Sequence, residues 1–243
     1  MLMLLTSHIY QFSRLQGRGI WGANVFLLVG DTLTLIDTGF KGRSAHIIRE
    51  LARLGYSPAD ITSIIITHHH ADHTGSLATL KEVTEAKVIA HPADAPYIDG
   101  SLPQPGPANP EWLGNMLAPI HGLWATIPVA VDGLVSDGDE HPILGGIKIL
   151  HTPGHTPGSI SLFLEKEGLV IVGDVLSRGT LGLSLPSKAF TIDMVKEIQS
   201  IRRLASLDFT LIGFGHGAAL TQNARSAVIN FASRIESKYN GIA

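Results

Sequence analysis

Ile64–Gly75 reads IIITHHHADHTG: three isoleucines run directly into four histidines and an aspartate. The apolar run, extended upstream as ITSIIIT, is a short buried strand. While the backbone stays extended, alternation by two aims His68 and His70 the same way. A tighter turn before Thr74 then sends Asp72 and His73 to a neighbouring point. One short segment thus offers two nitrogen or oxygen donors to each of two metal ions. Zinc usually takes four such donors, with one position left to water when the site is catalytic, so further ligands must come from elsewhere in the chain.

Composition narrows the chemistry. The 243 residues contain no cysteine, which removes disulfides, thiolate ligands and a cysteine nucleophile, and any metal must be held by nitrogen and oxygen. The net charge of −3 and pI near 6.4, with no Lys/Arg block, argue against nucleic-acid binding, which depends on phosphate neutralisation. The N-terminal MLMLLTSHIY is apolar, but it lacks a basic flank and is too short for a signal segment or a membrane span. It is expected to be a strand. The expectation is a cytoplasmic protein acting on a small molecule, with no nucleic-acid or membrane partner; a homodimer stays open.

Other segments alternate between strand and helix. ANVFLLVGDTLTLIDTG predicts a hairpin turning at Gly30-Asp31. SAHIIRELARLG has helical spacing and ends at Gly55, GSLATLKEV is a second helix and AKVIAHP a strand. GLVSDGDE, GIKILHTPG, SISLFLEKEG and LVIVGDVL predict further strands, followed by the helix TIDMVKEIQSIRRLASL, the strand FTLIGFGHG and a last helix that Thr221 would cap. Residues 98–128 differ: their prolines exclude a long helix or central strand. This excursion carries Trp112, Met116, Leu117 and Trp124, and reads either as a surface loop or as an apolar lid over a site. The whole of 1–243 is expected to be a single domain.

Apolar runs end repeatedly in His or Asp. TLTLI meets Asp37, SIIIT meets the cluster of His68, His70, Asp72 and His73, IKIL leads to His155, LVIVG to Asp174 and TLIGFG to His216. Strand ends at one rim are rigid, and loops leaving them can converge. His155, Asp174 and His216 are therefore candidates for the missing ligands. Two cations sharing a carboxylate sit roughly 3.5–4 Å apart and can hold a hydroxide that attacks at neutral pH. No G-x-S-x-G elbow or H-E-x-x-H helix offers another nucleophile.

HHHADHTG, PGHTPGS, VGDVL and FGHG, in this order, resemble the metallo-β-lactamase superfamily of hydrolases, from Asp37 in LIDTG to His216. The resemblance implies an α/β fold of the αββα type: two mixed β-sheets face to face, helices outside, and a dinuclear metal site at one rim. Carried over by position, His68, His70 and His155 hold one metal; Asp72, His73 and His216 hold the other; Asp174 bridges. Asp37 would order the ligand loops from outside; read from its chemistry, Asp72 is also expected to accept a hydrogen bond from the nucleophile or return a proton to the leaving group. The implied cofactors are two divalent ions, zinc first, with iron, manganese or cobalt as alternatives.

Branches of the family divide on single residues. The commonest dinuclear β-lactamases place Cys where this chain has Asp174, and flavodiiron reductases place a carboxylate where it has His70. Nucleases of this fold need a basic arm, and 101–128 has no Lys or Arg. Glyoxalase II-like thioesterases and acyl-homoserine lactonases share the ligand set, although a Tyr that often follows the bridging Asp in the lactonases is Ser177 here. The expectation is hydrolysis of an ester, lactone or thioester with an apolar portion, in a pocket lined by Trp112, Met116, Leu117, Trp124 and Ser177. A mononuclear iron sulfur dioxygenase and a phosphodiesterase are the alternatives. His69 is assigned no role, because alternation turns it away from the ligands, and His151 is read as a turn residue.

Overall fold

The computed structural model describes residues 2–13, 22–106 and 126–239. The Pro/Trp-rich excursion with Trp112, Met116, Leu117 and Trp124 lies outside them, apart from its two ends.

The first sheet has seven strands in sequence order: β1 (Leu2–Thr6), β2 (Ile9–Phe12), β3 (Val25–Val29), β4 (Leu33–Ile36), β5 (Ile61–Ile65), β6 (Lys87–Ala90) and β7 (Gly133–Leu134). β1 to β4 pair antiparallel, and β4 to β7 run parallel. The N-terminal apolar run is thus two strands of a hairpin. Helices cover the parallel part: α1 (Ser44–Arg53), the single turn α2 (Ala71–Thr74), α3 (Leu77–Thr84) and the turn α4 (Ala95–Ile98).

A second sheet takes the order β14-β11-β10-β9-β8, with β8 (Glu140–His141), β9 (Ile147–His151), β10 (Ile160–Leu164), β11 (Leu169–Ile171) and β14 (Leu211–Gly213). Its pairs are antiparallel except β11 with β14. A separate two-stranded ribbon joins β12 (Ser177–Gly179) to β13 (Gly182–Ser184). Helices α5 (Met194–Ala205) and α6 (Ala224–Tyr239) complete the described chain.

Side-chain alternation explains the layers. In β3, Phe26 and Leu28 pack with Ile147, Ile149, Leu162 and Ile171 of the second sheet, while Val25 and Leu27 pack outward with Ile47 and Leu51 of α1. In β11, Leu169 and Ile171 face the first sheet, and Val170 packs against Ile201 of α5 and Val228 of α6. Strands buried on both faces read as continuous apolar runs, which is why VFLLV and LVI show no alternation. The order is helix, sheet, sheet, helix.

Asp193 caps α5, its carboxylate accepting from the Val195 and Lys196 amides. Thr221 does not cap α6: that helix begins at Ala224, directly after Asn223 in a left-handed conformation (φ 53°), so Thr221 stands too far upstream. Among the described residues, no helix is long and apolar enough to cross a membrane.

Candidate metal centre

β4, β5 and β6 run parallel, and so do β11 and β14; β9, antiparallel to β10, shares the direction of β11. Their C-terminal ends meet at one rim. Asp37 leaves β4 with φ 60°, a left-handed turn that Asp tolerates better than most residues. Its buried carboxylate accepts from the Thr67 amide at 2.8 Å, from Thr67 Oγ1 at 2.7 Å, and from His73 Nδ1 at 2.7 Å. Donating from Nδ1 fixes the ring so that His73 Nε2 is turned into the site.

The chain remains extended to His70 (φ −60°, ψ 148°) and then enters α2, which carries Asp72 and His73. Extended backbone followed by one helical turn splits the cluster into two pairs, as the spacing suggested. The structure brings all seven sequence-predicted ligands together. Donor atoms lie within 4.8 Å of one another in three groups: His68, His70 and His155; His68, His73 and Asp174; Asp72, His73 and His216. His70 Nδ1 is 3.0 Å from His155 Nε2, His216 Nε2 is 3.0 Å from Asp72 Oδ2, and Asp174 Oδ2 lies 3.1 Å from His216 Nε2 and 3.5 Å from His155 Nε2. Asp174 thus touches both halves.

Electrostatics differ between the halves. Burial, followed by neighbouring imidazoles, holds His68 and His70 well below the usual histidine range, and burial drops His155 to about 4. These three are neutral donors at pH 7. On the other side burial is outweighed by charge. Asp37, Asp174 and Asp72 hold His73 well above its usual value, and Asp174 lifts His216 to about 10. Burial likewise opposes ionisation of Asp174 and Asp72, but the adjacent His216 and His73 keep both below the ordinary carboxylate range.

The donor set fits divalent metal ions. His73 Nε2 and Asp174 Oδ1 face each other at 3.3 Å, yet both are buried without a hydrogen bond, as is His68 Nε2. Buried polar atoms in native structures are normally satisfied; inward-facing imidazole nitrogens around a shared carboxylate call for a cation, whose binding displaces any proton they carry. Gly215 keeps this space clear, since a Cβ there would stand 2.1 Å from Asp174 Oδ1 and 2.9 Å from His73 Cε1.

Four contributors carry no site role in the sequence alone: His69, Asp94, Thr191 and Glu197. His69 does point away from the ligands, but it is not idle. Its amide and Nδ1 both reach Asp94 Oδ2, at 2.8 and 2.9 Å, and Asp94 also accepts from Thr156 Oγ1 at 2.8 Å and the Gly158 amide at 2.7 Å. This buried carboxylate ties the cluster loop to the loop of His155. The one sequence signal for it was position: Asp94 follows the apolar run of β6, but nothing local set it apart from any other loop aspartate. Thr191, also buried, places Oγ1 3.2 Å from His155 Nδ1 and donates to Ser187 O at 2.8 Å. A hydroxyl with its proton so committed accepts from Nδ1–H, which turns the His155 Nε2 lone pair inward. Glu197 of α5 is fully buried against Gly154, and burial pushes its carboxyl up to about 9. Ser177 is half-buried in the ribbon, where it pairs with Ser184.

The sequence model of the metallo-beta-lactamase superfamily matches residues 18–216, and the chain belongs to that family. Among curated proteins it is similar to the probable metallo-hydrolase YflN of Bacillus subtilis (strain 168), 30% identical over 222 residues covering 85% of this chain and 83% of that protein. The probable metallo-hydrolase YqjP of the same organism is 31% identical over 222 residues, covering 81% and 67%. Among solved structures, the metallo-beta-lactamase family protein TTHA1429 of Thermus thermophilus superposes with a TM-score of 0.75 at 22% identity, over 98% of this chain and 82% of that one. That last likeness is one of fold.

Proposed function

We propose that this chain is a metal-dependent hydrolase that cleaves an ester, lactone or thioester of a small, partly apolar molecule. One observation carries the reading: His68, His70 and His155 converge on one point, Asp72, His73 and His216 on another, and Asp174 lies between them. The relatives named as probable metallo-hydrolases support the same reaction class. His68, His70 and His155 would hold the first ion, Asp72, His73 and His216 the second, with Asp174 shared. Two bound divalent ions, zinc foremost, supply Lewis acidity and lower the pKa of water to near neutrality.

The chain's own residues do the rest. Asp72 is 21% exposed and His216 29%, while His68, His73 and His155 are closed from solvent. The centre therefore opens on the side of Asp72 and His216, and a substrate carbonyl enters there. Asp72 faces His216 through Oδ2; its other oxygen is the atom we assign to take a proton from the attacking water and return it to the leaving oxygen or sulfur. Asp37 and Thr191 hold the His73 and His155 imidazoles against rotation. A net charge of −3 suits a small substrate better than a polyanion.

The test is a panel of esters, lactones, thioesters and phosphodiesters offered to protein loaded in turn with zinc, manganese and iron. Chelator-sensitive turnover of a carboxylic ester, lactone or thioester is expected, with Asp72→Asn lowering kcat by about a hundredfold or more. Preference for phosphodiesters, or a single iron with oxygen consumption, would replace this reading.

A further inference from the structure

We infer that Phe190 sets the specificity of this centre, its ring forming the wall against which the apolar acyl portion of the substrate packs. The inference rests on the hydrolase reading above and adds the substrate class to it.

Phe190 is the one exposed phenylalanine of the eight in the chain; six are buried in the core, and Phe40 is half-buried. Its ring stands edge-on to the ring of His70, with centroids 6.2 Å apart at 74°. His70 is one of the partly exposed ligands, with Asp72 and His216, so Phe190 borders the open side of the centre. Ile192 and Val195 follow it along the chain with exposures of 45% and 49%.

This ledge is held in place by the loop that carries His155. The Ile192 amide donates to His155 O at 3.2 Å, and the Asp193 amide to Gly154 O at 2.9 Å. Thr191, between them, is hydrogen-bonded to the His155 ring. The Phe190 amide closes a turn onto Ser187 O at 3.1 Å. A chain so anchored on both sides of Phe190 presents the ring to solvent rather than folding it into the core. Exposed apolar surface kept beside a reactive centre marks a binding surface, and what can cover it is a substrate held at His70. A neighbouring charge is answered locally, Lys196 Nζ lying 3.6 Å from Asp193 Oδ2. The ledge therefore suits a straight hydrocarbon portion better than a charged one.

Straight-chain alkyl hydroxamates from two to ten carbons, titrated by calorimetry onto zinc-loaded protein, test this without depending on turnover. Affinity is expected to rise about two- to fourfold per added methylene until the ledge is covered. Phe190→Ala should flatten that rise while retaining the wild-type zinc content, and Phe190→Trp should keep it. A flat series in the wild type, or equal slopes in wild type and Phe190→Ala, overturns the inference. Acyl thioesters of the same lengths separate it from the hydrolase reading. A hydroxamate slope that depends on Phe190 with no ester, lactone or thioester turned over leaves the wall standing and sinks the reaction. Turnover with a KM indifferent to Phe190 and chain length does the reverse.

Discussion

Asp37 Oδ2 and His73 Nδ1 lie 2.7 Å apart, with both side chains closed from solvent. The same carboxylate holds the Thr67 amide and hydroxyl, so one residue fixes both the start of the ligand segment and the orientation of its last imidazole. Asp37→Asn is the cleanest probe, because Asn also tolerates the left-handed backbone that residue 37 adopts. Its expected effect is a loss of metal affinity at the His73 side of about 10- to 100-fold. Competition for zinc against a chromophoric chelator measures this, with circular dichroism to show that the fold persists. Wild-type affinity in the variant would refute the role.

Thr191 acts on the other half in the same way. Thr191→Val removes the hydroxyl beside His155 Nδ1 at nearly constant volume, freeing the ring to rotate or to change tautomer. The affinity of the first metal position should fall about tenfold or more, and Thr191→Ser should restore it. A two-step zinc titration distinguishes the positions: the step lost in Thr191→Val should differ from the step lost in Asp37→Asn.

Binding of metal should also release protons. His216, held up to about 10, and His73, held well above its usual value, both carry protons at pH 7, and a ligating imidazole must give up the proton on its coordinating nitrogen. The sign follows: affinity for zinc rises with pH until His216 deprotonates of its own accord, by up to tenfold per pH unit for each proton displaced. Calorimetry in buffers of different ionisation enthalpy counts the protons. No release at pH 7 would contradict the charge balance between these imidazoles and Asp37, Asp72 and Asp174.

The convergence of the candidate ligands was legible in the sequence because each follows an apolar run within a few residues, and such runs mark strands whose ends can share a rim. The layers were legible less directly. VFLLV is apolar at every position, so only the structure shows Phe26 turned to the second sheet and Leu27 to α1. Residues that hold the ligands were harder to see. Asp94 binds groups 25 and 62 positions away, and Thr191 one 36 positions away; an Asp or Thr in a loop looks locally like any turn residue. For His69, alternation gave the correct direction, but turning away from the ligands did not mean turning to solvent. Thr221 failed as a cap because capping preference is local and several residues there satisfy it equally.

Asp94 joins two loops through four donors: the His69 amide and Nδ1, Thr156 Oγ1 and the Gly158 amide. Removing the acceptor strands buried donors at roughly 1–3 kcal/mol each. Asp94→Ala should therefore destabilise the protein by about 3 kcal/mol or more, and Asp94→Asn by less, since its carbonyl can still accept. Urea unfolding measures the loss. A change under 1 kcal/mol would mean that the loops hold their positions without Asp94.

Glu197 should make stability depend on pH in the opposite sense to a salt-bridged carboxylate. Its side chain is fully buried, both carboxyl oxygens lack a hydrogen-bond partner among the described residues, and burial raises it from 4.5 to about 9. Between those values the unfolded chain gives up the proton and the folded chain keeps it. The contribution to stability is thus fully present below 4.5 and declines as pH rises toward 9. At pH 7 the cost is roughly 3 kcal/mol. Glu197→Gln carries no such proton, so it should match wild type near pH 4.5 and exceed it at pH 8 by about 10–20 °C in Tm. The histidine ligands lose or gain protons equally in both proteins, so the difference between the two melting curves isolates Glu197. A Tm difference that stays constant from pH 4.5 to 8 would show that the carboxyl ionises without penalty, and that water or a cation reaches it behind Gly154.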